Sequence, residues 1–503
     1  MKCLLIYPTV TTYGSDSPAG IAVPLGLAYI AAVLEENGYE VKVLDSLALG
    51  SIEKGENYIR RGLSKDAIEE YIRDFKPSIV GISAMFTAYS QDAHDVAGII
   101  KGIDRNIPVV FGGAHASANY DMVLRDENVD IVVKGEGEIT FLEVVRALER
   151  GENLENISGT ITRIDGKLHV NPERPFISDL DILPFPARHL LPMDIYHSSK
   201  TSSYCMRKPH TVMITSRGCP RNCIFCSIHS IWGHKWRARG ARNIVDEIEL
   251  LVNKYRVKEI NFNDDNMSLD KKRMAEICDE IITRKIDIRW TTPNGIAIWS
   301  LDEPLLRKMK QSGCYRLTFG IESGNPETQK FIRKNLDLEQ ARSIIKCANK
   351  IGLWTISTNI IGFPYETREA IEDTINFAII SDTDFALFYF VTPHPGTPIH
   401  EILKREKLVP DDITKGFLIG ESACDTKVFT QKELEEIQNH AYSKFMSSRL
   451  RSYFKNPVKI LRKISSFEDI KYVFRLVRRA LIIKARTRKY GIVGAKVLHD
   501  QEV

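Results

Sequence analysis

The chain is 503 residues long, 43% hydrophobic and 27% charged, a composition that excludes disorder and leaves room for roughly three domains with ordinary buried cores. Its 69 Lys and Arg against 65 Asp and Glu give a formal net charge of +4, an average that argues for no strongly charged partner. No apolar run approaches the roughly 20 residues of a membrane span, and the opening MKCLLIYPTV reads as a first strand without an export signal. Nine cysteines are too few for a disulfide scaffold. Cys3, Cys205, Cys278, Cys314, Cys347 and Cys424 stand alone and read as small buried hydrophobes in a reducing, cytoplasmic setting.

From residue 2 to about 150, β-branched runs alternate with helical ones. KCLLIY, a helix over 24–37, EVKVLD, a helix over 64–75, SIVGIS, a helix over 91–103, PVVFGG, a helix over 119–125, DIVVKG and a helix over 138–149 follow one another. Five strands with intervening helices predict a doubly wound, Rossmann-like parallel sheet. Such a sheet binds ligands where its strands end, and those loops are rich in glycine: 81–83 with Ser83, Gly112-Gly113-Ala114-His115, and Gly135-Glu136-Gly137-Glu138. GTITRIDGKLHV reads as a hairpin and DLDILPFPARHLLP as a Pro-punctuated connection, so 151–208 is expected to be a linker after a first domain over 1–150.

From 209 to 425 strands and helices alternate again: TVMITSRG, helix 241–254, EINFND, helix 271–284, IRWTTPNG, helix 303–312, RLTFGIES, helix 338–351, TISTNIIG, helix 368–381 and FALFYFVT. Six such units predict a partial or complete TIM-like βα barrel. After Thr430 the pattern is helical, which marks a C-terminal helical region over 426–503.

Directly after the first strand of that barrel stands Cys219-Pro-Arg-Asn-Cys223-Ile-Phe225-Cys226. Three soft thiolates on one loop at CxxxCxxC spacing suit a cubane iron–sulfur cluster, with one iron left free of protein thiolate. Structural zinc, the alternative, wants four closed ligands, and the loop offers only His229 besides its thiols.

These residues, with the aromatic Phe225 before the third Cys, resemble the signature of the radical S-adenosylmethionine (SAM) enzymes. The resemblance implies a 4Fe–4S cluster held by Cys219, Cys223 and Cys226, with SAM chelating the open iron. Electron transfer from a flavodoxin- or ferredoxin-type donor would cleave SAM to methionine and a 5'-deoxyadenosyl radical. Further similar segments close the barrel strands: Asn263-Asp264-Asp265-Asn266, where the family's frequent Gly-Gly-Glu is replaced by acidic acceptors for the SAM amino group; Gly320-Ile-Glu322-Ser323-Gly324, with Glu322 for ribose or amino group; Asn359-Ile-Ile-Gly362-Phe-Pro; and Thr392-Pro-His-Pro395-Gly, the last two lining adenosine. For each acidic residue a solvated strand end or helix cap is the plain alternative.

The N-terminal unit resembles the cobalamin (B12)-binding domain of one branch of this superfamily, which includes an anaerobic Mg-protoporphyrin ester oxidative cyclase and hopanoid methylases. Pro24-Leu-Gly26-Leu-Ala28, Gly112-Gly113-Ala-His115-Ala-Ser117 and Gly135-Glu136-Gly137-Glu138 carry the match, so cobalamin is the implied cofactor there. The Asp-x-His-x-x-Gly motif of mutases and methionine synthases, whose His ligates cobalt, is missing from the first βα loop, VTTYGSDSPAG. Asp92-Ala-His94-Asp-Val-Ala-Gly98 is one residue too long and sits later, in an amphipathic helix. Cobalt is therefore expected without a lower His ligand, and His115 is expected to position the corrin or its side chains.

The near-neutral total hides a strong asymmetry. Between Lys444 and Tyr490, 15 Lys and Arg face two acids, Glu468 and Asp469, a segment charge of +13 that leaves −9 for the rest of the chain. Ile470, Val473, Phe474, Val477 and Leu481 are spaced as one helical face, with Lys471, Arg475, Arg478 and Arg479 opposite. A basic amphipathic helix suits the anionic inner face of a membrane. The alternatives are a helix packed on its own barrel with a solvated basic face, and an RNA-binding tail, which the shortage of stacking aromatics disfavours.

The reading that joins these features is a cobalamin-dependent radical SAM enzyme that modifies an unactivated carbon of a hydrophobic or lipid-like substrate. Methyl transfer through cobalt is the preferred outcome. Cyclisation or oxidation, deoxyadenosyl chemistry without cobalamin, and a non-enzymatic cobalamin or redox sensor are the alternatives. A methylthiotransferase would need further N-terminal cysteines that Cys3 and Cys205 cannot supply.

Overall fold

A computed structural model describes residues 1–13, 19–198, 205–409 and 422–490, with side chains to residue 478. The chain forms two compact units, the first spanning Met1–Thr201 and Ser227–Arg237, the second Ser202–Cys226, Ala238–Asp411 and Phe417–Val503.

In the first unit β1 (Lys2–Tyr7), α1 (Leu25–Glu36), β2 (Glu40–Asp45), α2 (Lys65–Phe75), β3 (Ile79–Ser83), α3 (Ser90–Ile103), β4 (Val109–Gly112), β5 (Ile131–Val133) and α5, here counted after the short α4 (Ala114–Ala118), over Gly137–Arg150 reproduce the alternation expected. The helix expected over 119–125 is shortened to a single turn at Tyr120–Val123, preceded by α4. Parallel pairing gives the order β5-β4-β3-β1-β2, reversing direction between β1 and β3. β1 sits inside the sheet, with Cys3 to Ile6 at most 1% exposed.

The hairpin expected to open a linker belongs to this sheet. β6 (Thr160–Ile164) pairs antiparallel with β5, and β7 (Lys167–Val170) pairs with β6, which extends the sheet to seven strands. Thr160 and Ile161 are buried, so the alternation of that segment is a core face joining the fold. A separate three-stranded antiparallel sheet, formed by Val10–Tyr13, Ser51–Lys54 and Tyr58–Gly62, is a second feature without a sequence forecast.

In the second unit β8 (His210–Met213), α6 (Ala241–Tyr255), β9 (Glu259–Phe262), α7 (Lys271–Thr283), β10 (Arg289–Thr292), α8 (Glu303–Gln311), β11 (Cys314–Glu322), α9 (Leu338–Ile351), β12 (Trp354–Ile361), α10 (Arg368–Ile380) and β13 (Phe385–Phe390) alternate as expected. The strands pair parallel in sequence order from β8 to β13, an open six-stranded sheet rather than a closed barrel. Helix starts follow side-chain caps written in the sequence: Asp270, Asp302, Asp337 and Thr367 each accept a first-turn backbone N–H. Trp290, Phe262 and Phe319 fill the core between sheet and helices.

The C-terminal region is helical, with α11 (Gln431–Lys455) and α12 (Phe467–Tyr490). Leu434, Ile437, Ala441 and Phe445 pack α11 against β12, α10 and β13. The expected apolar stripe of α12 is divided. Buried Tyr472 packs on Met206, Tyr315 and Trp354 with Val473 beside it, whereas Ile470, Phe474 and Val477 are 49%, 72% and 49% exposed. Arg475, placed on the solvent side by periodicity, donates to the carbonyls of Cys205 and Met206. Part of the basic excess is answered within this unit, where Lys444 meets Glu372, Arg449 and Lys459 meet Asp382, and buried Lys463 meets Asp384. Leu481 and Arg479 lie outside the described side chains.

Gly81 in β3 is a packing requirement, since a Cβ there would lie 2.8 Å from Leu5 Cδ2 and 2.9 Å from Phe141 Cε2. Gly81→Ala is expected to destabilise the first unit by about 1–3 kcal/mol through overpacking, measured as a lower denaturant midpoint of its unfolding step.

Candidate functional site

Two sets of strand ends carry the candidate chemistry, one in each unit. In the second unit the chain leaves β8 through Thr215 and Ser216 into the cysteine loop. Asp264, just beyond β9, is 1% exposed and accepts from Thr215 N at 3.1 Å, Thr215 Oγ1 at 2.7 Å and Ser216 Oγ at 2.5 Å. Its carboxylate is thus consumed in anchoring the start of the loop, a correction to its expected place among cofactor contacts. The loop is held at its middle as well. Ile224 N donates to Ile332 O at 3.1 Å, and Ile399 N donates to Ile224 O at 3.0 Å. The Ile224 side chain is buried with Phe363, Val391 and Ile399; Phe225 packs on Phe363 with ring centroids 6.1 Å apart, which makes it a wedge for the loop. Arg221 lies 4.1 Å over the Trp299 ring.

This anchored loop presents Cys219, Cys223 and Cys226 as part-exposed thiols outside any disulfide. Burial pushes the Cys223 thiol up, opposed by the nearby Lys334 charge. Asn266 Nδ2 approaches Cys219 Sγ at 4.0 Å. Among the described residues no three His, Cys, Asp or Glu converge as a single metal ion requires. The corners of a cubane instead take one thiolate each, so the donor set fits a 4Fe–4S cluster with its fourth corner free.

Around that loop stand the other strand ends. Asp265 is half-buried, and burial together with neighbouring Asp264 raises its carboxyl to about 7. Glu322, at a positive φ of 65°, pairs with Lys334 at 2.8 Å. Ser323 is fully buried and spent on Thr374 and Asn325 N. Asn359 is fully buried; its Nδ2 donates to the Ser357 and Leu387 carbonyls, while its Oδ1 has no partner. Such an unanswered buried acceptor suits a ligand N–H. Gly362, at φ 85°, and Phe363 donate their backbone N–H groups to Glu366 Oε2 at 2.9 and 3.3 Å. Pro395 lies part-exposed in the turn after β13.

In the first unit the ends of β3 and β4 form a cradle. Ala84 N donates to Gly112 O at 2.7 Å, and His115 N donates to Ala84 O at 3.1 Å. Gly113 has φ 108°, and a Cβ there would meet Ala84 O at 2.7 Å. Met85 and Phe86 next to Ser83 are 41% and 56% exposed, an apolar rim at the strand ends. His115 is 2% exposed; Nδ1 lies 3.0 Å from Thr87 Oγ1, and Nε2 is buried without a partner. Burial lowers its pKa to about 4, so the ring is neutral. A flat ligand with polar edges, as cobalamin is, fits a glycine cradle, an apolar rim and an orphan imidazole nitrogen.

Other residues of the expected set serve the scaffold. Gly135, at φ 75°, donates its N–H to Ser117 Oγ at 3.0 Å, and a Cβ on Gly137 would strike Ile30 at 2.9 Å. Glu136 is 6% exposed; its carboxylate meets Arg237 at 2.7 Å and the Ile177 N–H at 2.8 Å, a correction to its expected cofactor contact. Pro24 is buried at the start of α1, while Gly26 is exposed with open space about it. His94 lies inside α3 and bonds Asp126 at 2.7 Å, so the DAHDVAG stretch is plain helix. Sequence reading missed Lys334 and Glu366, which sit in no recognisable spacing, and the roles of Thr215 and Ser216.

Comparison with known proteins agrees with both halves. The B12-binding domain family matches residues 14–145 and the radical SAM superfamily matches residues 213–378. An uncharacterised methyltransferase of Pyrococcus horikoshii is 36% identical over 88% of this chain and 92% of its own length. The cytidylyl-2-hydroxyethylphosphonate methyltransferase of Streptomyces wedmorensis is 33% identical over 82% of this chain and 83% of its own. Among solved structures, the fold resembles the radical SAM methyltransferase TsrM of Kitasatospora setae, with TM-score 0.64, 20% identity, and coverage of 80% of this chain and 76% of that one.

Burial lifts the Glu366 carboxyl to about 8. The folded chain therefore keeps a proton that the unfolded chain releases, and stability is lost as pH rises from about 5 to 8, by up to about 1.4 kcal/mol per pH unit. Glu366→Gln should gain stability relative to wild type across that window in paired denaturant titrations. A difference independent of pH would mean the carboxylate is ionised in the fold.

Proposed function

Because this chain belongs to the cobalamin-dependent radical SAM enzymes, we propose that it transfers a methyl group to an unactivated carbon of a hydrophobic or lipid-like small molecule. The observation that carries the reading is one chain holding both a cysteine loop anchored at a parallel-sheet end and a glycine cradle of corrin-binding type, together with similarity to methyltransferases over 88% and 82% of the chain. When bound, the cluster supplies the electron that cleaves SAM to methionine and a 5'-deoxyadenosyl radical, and cobalamin supplies a methyl carrier.

The protein's part is placement. Cys219, Cys223 and Cys226 would hold the cluster, fed by a flavodoxin- or ferredoxin-type donor. Asp265 and Glu322 would orient the polar groups of SAM; the Asn359 amide, Gly362 and Pro395 would line its adenosine. In the first unit Gly112 and Gly113 let backbone approach the corrin closely, Ser83, Pro24 and Gly26 border it, and neutral His115 offers a hydrogen bond to its edge.

Anaerobic incubation with SAM, cobalamin, a reductant and candidate hydrophobic acceptors should yield 5'-deoxyadenosine and S-adenosylhomocysteine together. Deoxyadenosine alone, with a ring-closed or oxidised product, would replace methyl transfer by cyclase or oxidase chemistry. Cys223→Ala should abolish SAM cleavage; unchanged cleavage would remove the cluster from the reaction.

We also propose a peripheral contact of the C-terminal helices with the anionic face of a membrane. No helix among the described residues is long and apolar enough to cross one. The support is a run of exposed apolar side chains, Phe454, Leu461, Phe467 and Phe474 at 89%, 61%, 68% and 72% exposure, interleaved in sequence with exposed Arg451, Lys455, Arg462 and Lys471. Apolar side chains fringed by cations match the acyl and phosphate layers of a lipid surface. Phe467→Asp with Phe474→Asp should abolish co-sedimentation with phosphatidylserine vesicles while SAM cleavage persists; retained binding would overturn these side chains as the contact.

A further inference from the structure

The ion pair between Lys334 and Glu322 is largely buried and braced by hydrogen bonds. Nζ and Oε1 are 2.8 Å apart, and the two side chains are 13% and 11% exposed. One buried residue, Gln329, fixes both partners. Its Nε2 donates to the carbonyls of Ile321 and Ser323, on either side of Glu322, at 2.8 and 2.5 Å. Its backbone carbonyl accepts from Lys334 N at 3.2 Å and Asn335 N at 3.3 Å, and its Oε1 accepts from Leu336 N at 3.3 Å.

Around the pair the backbone takes conformations that non-glycine residues rarely adopt. Glu322, Arg333 and Asn335 have φ of 65°, 55° and 48°, so Lys334 lies between two left-handed residues and faces a third. Gly320 leaves the room, since a Cβ there would lie 2.6 Å from Glu322 Oε1 and 3.0 Å from Lys334 Nζ. Left-handed backbone at three positions around one buried glutamine fixes where this charge stands.

The pair is tied to the cysteine loop. Ile332, two residues before Lys334, accepts the hydrogen bond of Ile224 N, inside the loop between Cys223 and Cys226. Only Arg333 thus separates Lys334 from the residue whose carbonyl holds the middle of the cysteine loop. Every electron added to an iron–sulfur cluster increases its negative charge, and a fixed cation in a poorly solvated setting stabilises the reduced form.

We propose that Lys334 is a positioning residue whose fixed charge raises the reduction potential of the cluster held by Cys219, Cys223 and Cys226, while Glu322 masks part of that charge. The inference rests on the cluster and is independent of methyl transfer.

The test is an EPR-monitored redox titration of the full-length, anaerobically reconstituted protein, without SAM, cobalamin or substrate, alongside iron content per chain. Lys334→Met should keep its iron and shift the midpoint to more negative potential. Glu322→Gln should shift it the other way by unmasking the ammonium, and Lys334→Arg should stay near wild type. A midpoint unmoved in iron-replete Lys334→Met overturns the proposal, as do shifts of Lys334→Met and Glu322→Gln in the same direction, which a merely structural disturbance would produce. If Lys334→Met loses iron, the other two variants decide: a positive shift in Glu322→Gln with Lys334→Arg near wild type supports the proposal, and any other pattern overturns it.

Discussion

The second unit depends on one buried carboxylate. Asp264 is withdrawn from water at a cost that its hydrogen bonds from Thr215 and Ser216 offset in part, so burial still raises its carboxyl above the usual range. Those bonds fix the last residues before the cysteine loop, beyond the end of β8. Three thiols can serve one cubane only if their loop has a defined path. The path is set at its start by Asp264 and in its middle by the bonds of Ile224 to Ile332 and Ile399. The loop is braced by the segment just beyond β9, by the end of the short helix Pro326–Phe331 and by the helix Pro398–Arg405. That explains why so short a motif needs a whole sheet beneath it.

The two units reach their candidate sites by the same physics. In a parallel sheet all strands end on the same side, so the loops that follow gather there, free of ladder hydrogen bonds and close to one another. The first unit uses that edge for an open cradle in which glycine lets backbone come near a flat ligand. The second uses it for charged and polar side chains: the thiols, Asp265, the Glu322–Lys334 pair and Asn359. Its opposite end is closed by the C-terminal helices, where Tyr472 fills a hollow lined by Met206, Tyr315 and Trp354, and its hydroxyl accepts from buried Arg316.

Local patterns were legible wherever the physics acts over a few residues. The strands and helices of both sheets, the side-chain caps of Asp270, Asp302, Asp337 and Thr367, and the CxxxCxxC loop could all be read directly. Roles that depend on distant partners could not. Asp264 and Asp265 are adjacent carboxylates, yet Asp264 is committed to Thr215 and Ser216 while Asp265 is left at the edge of the site with its carboxyl raised by burial. Glu136 sits in a glycine-rich loop of ligand-binding type, but Arg237, far along the chain, takes its carboxylate. The periodicity of α12 identified a two-sided helix, and its assignment of sides failed because Tyr472, a residue outside the apolar stripe, is the one with a pocket to fill.

By itself the amino-acid sequence determined the alternation of elements, the cysteine loop and its iron–sulfur chemistry, and the basic C-terminal charge, because spacing, ligand softness and net charge are properties of neighbouring residues. The tertiary structure alone decided that the 160–170 hairpin completes the first sheet, that the second sheet stays open at six strands, that Lys334 stands against Glu322 beside the thiols, and which basic residues are answered by carboxylates. Each of these turns on which surfaces meet once the chain is folded, and burial and pairing between residues remote in sequence leave no local pattern to read.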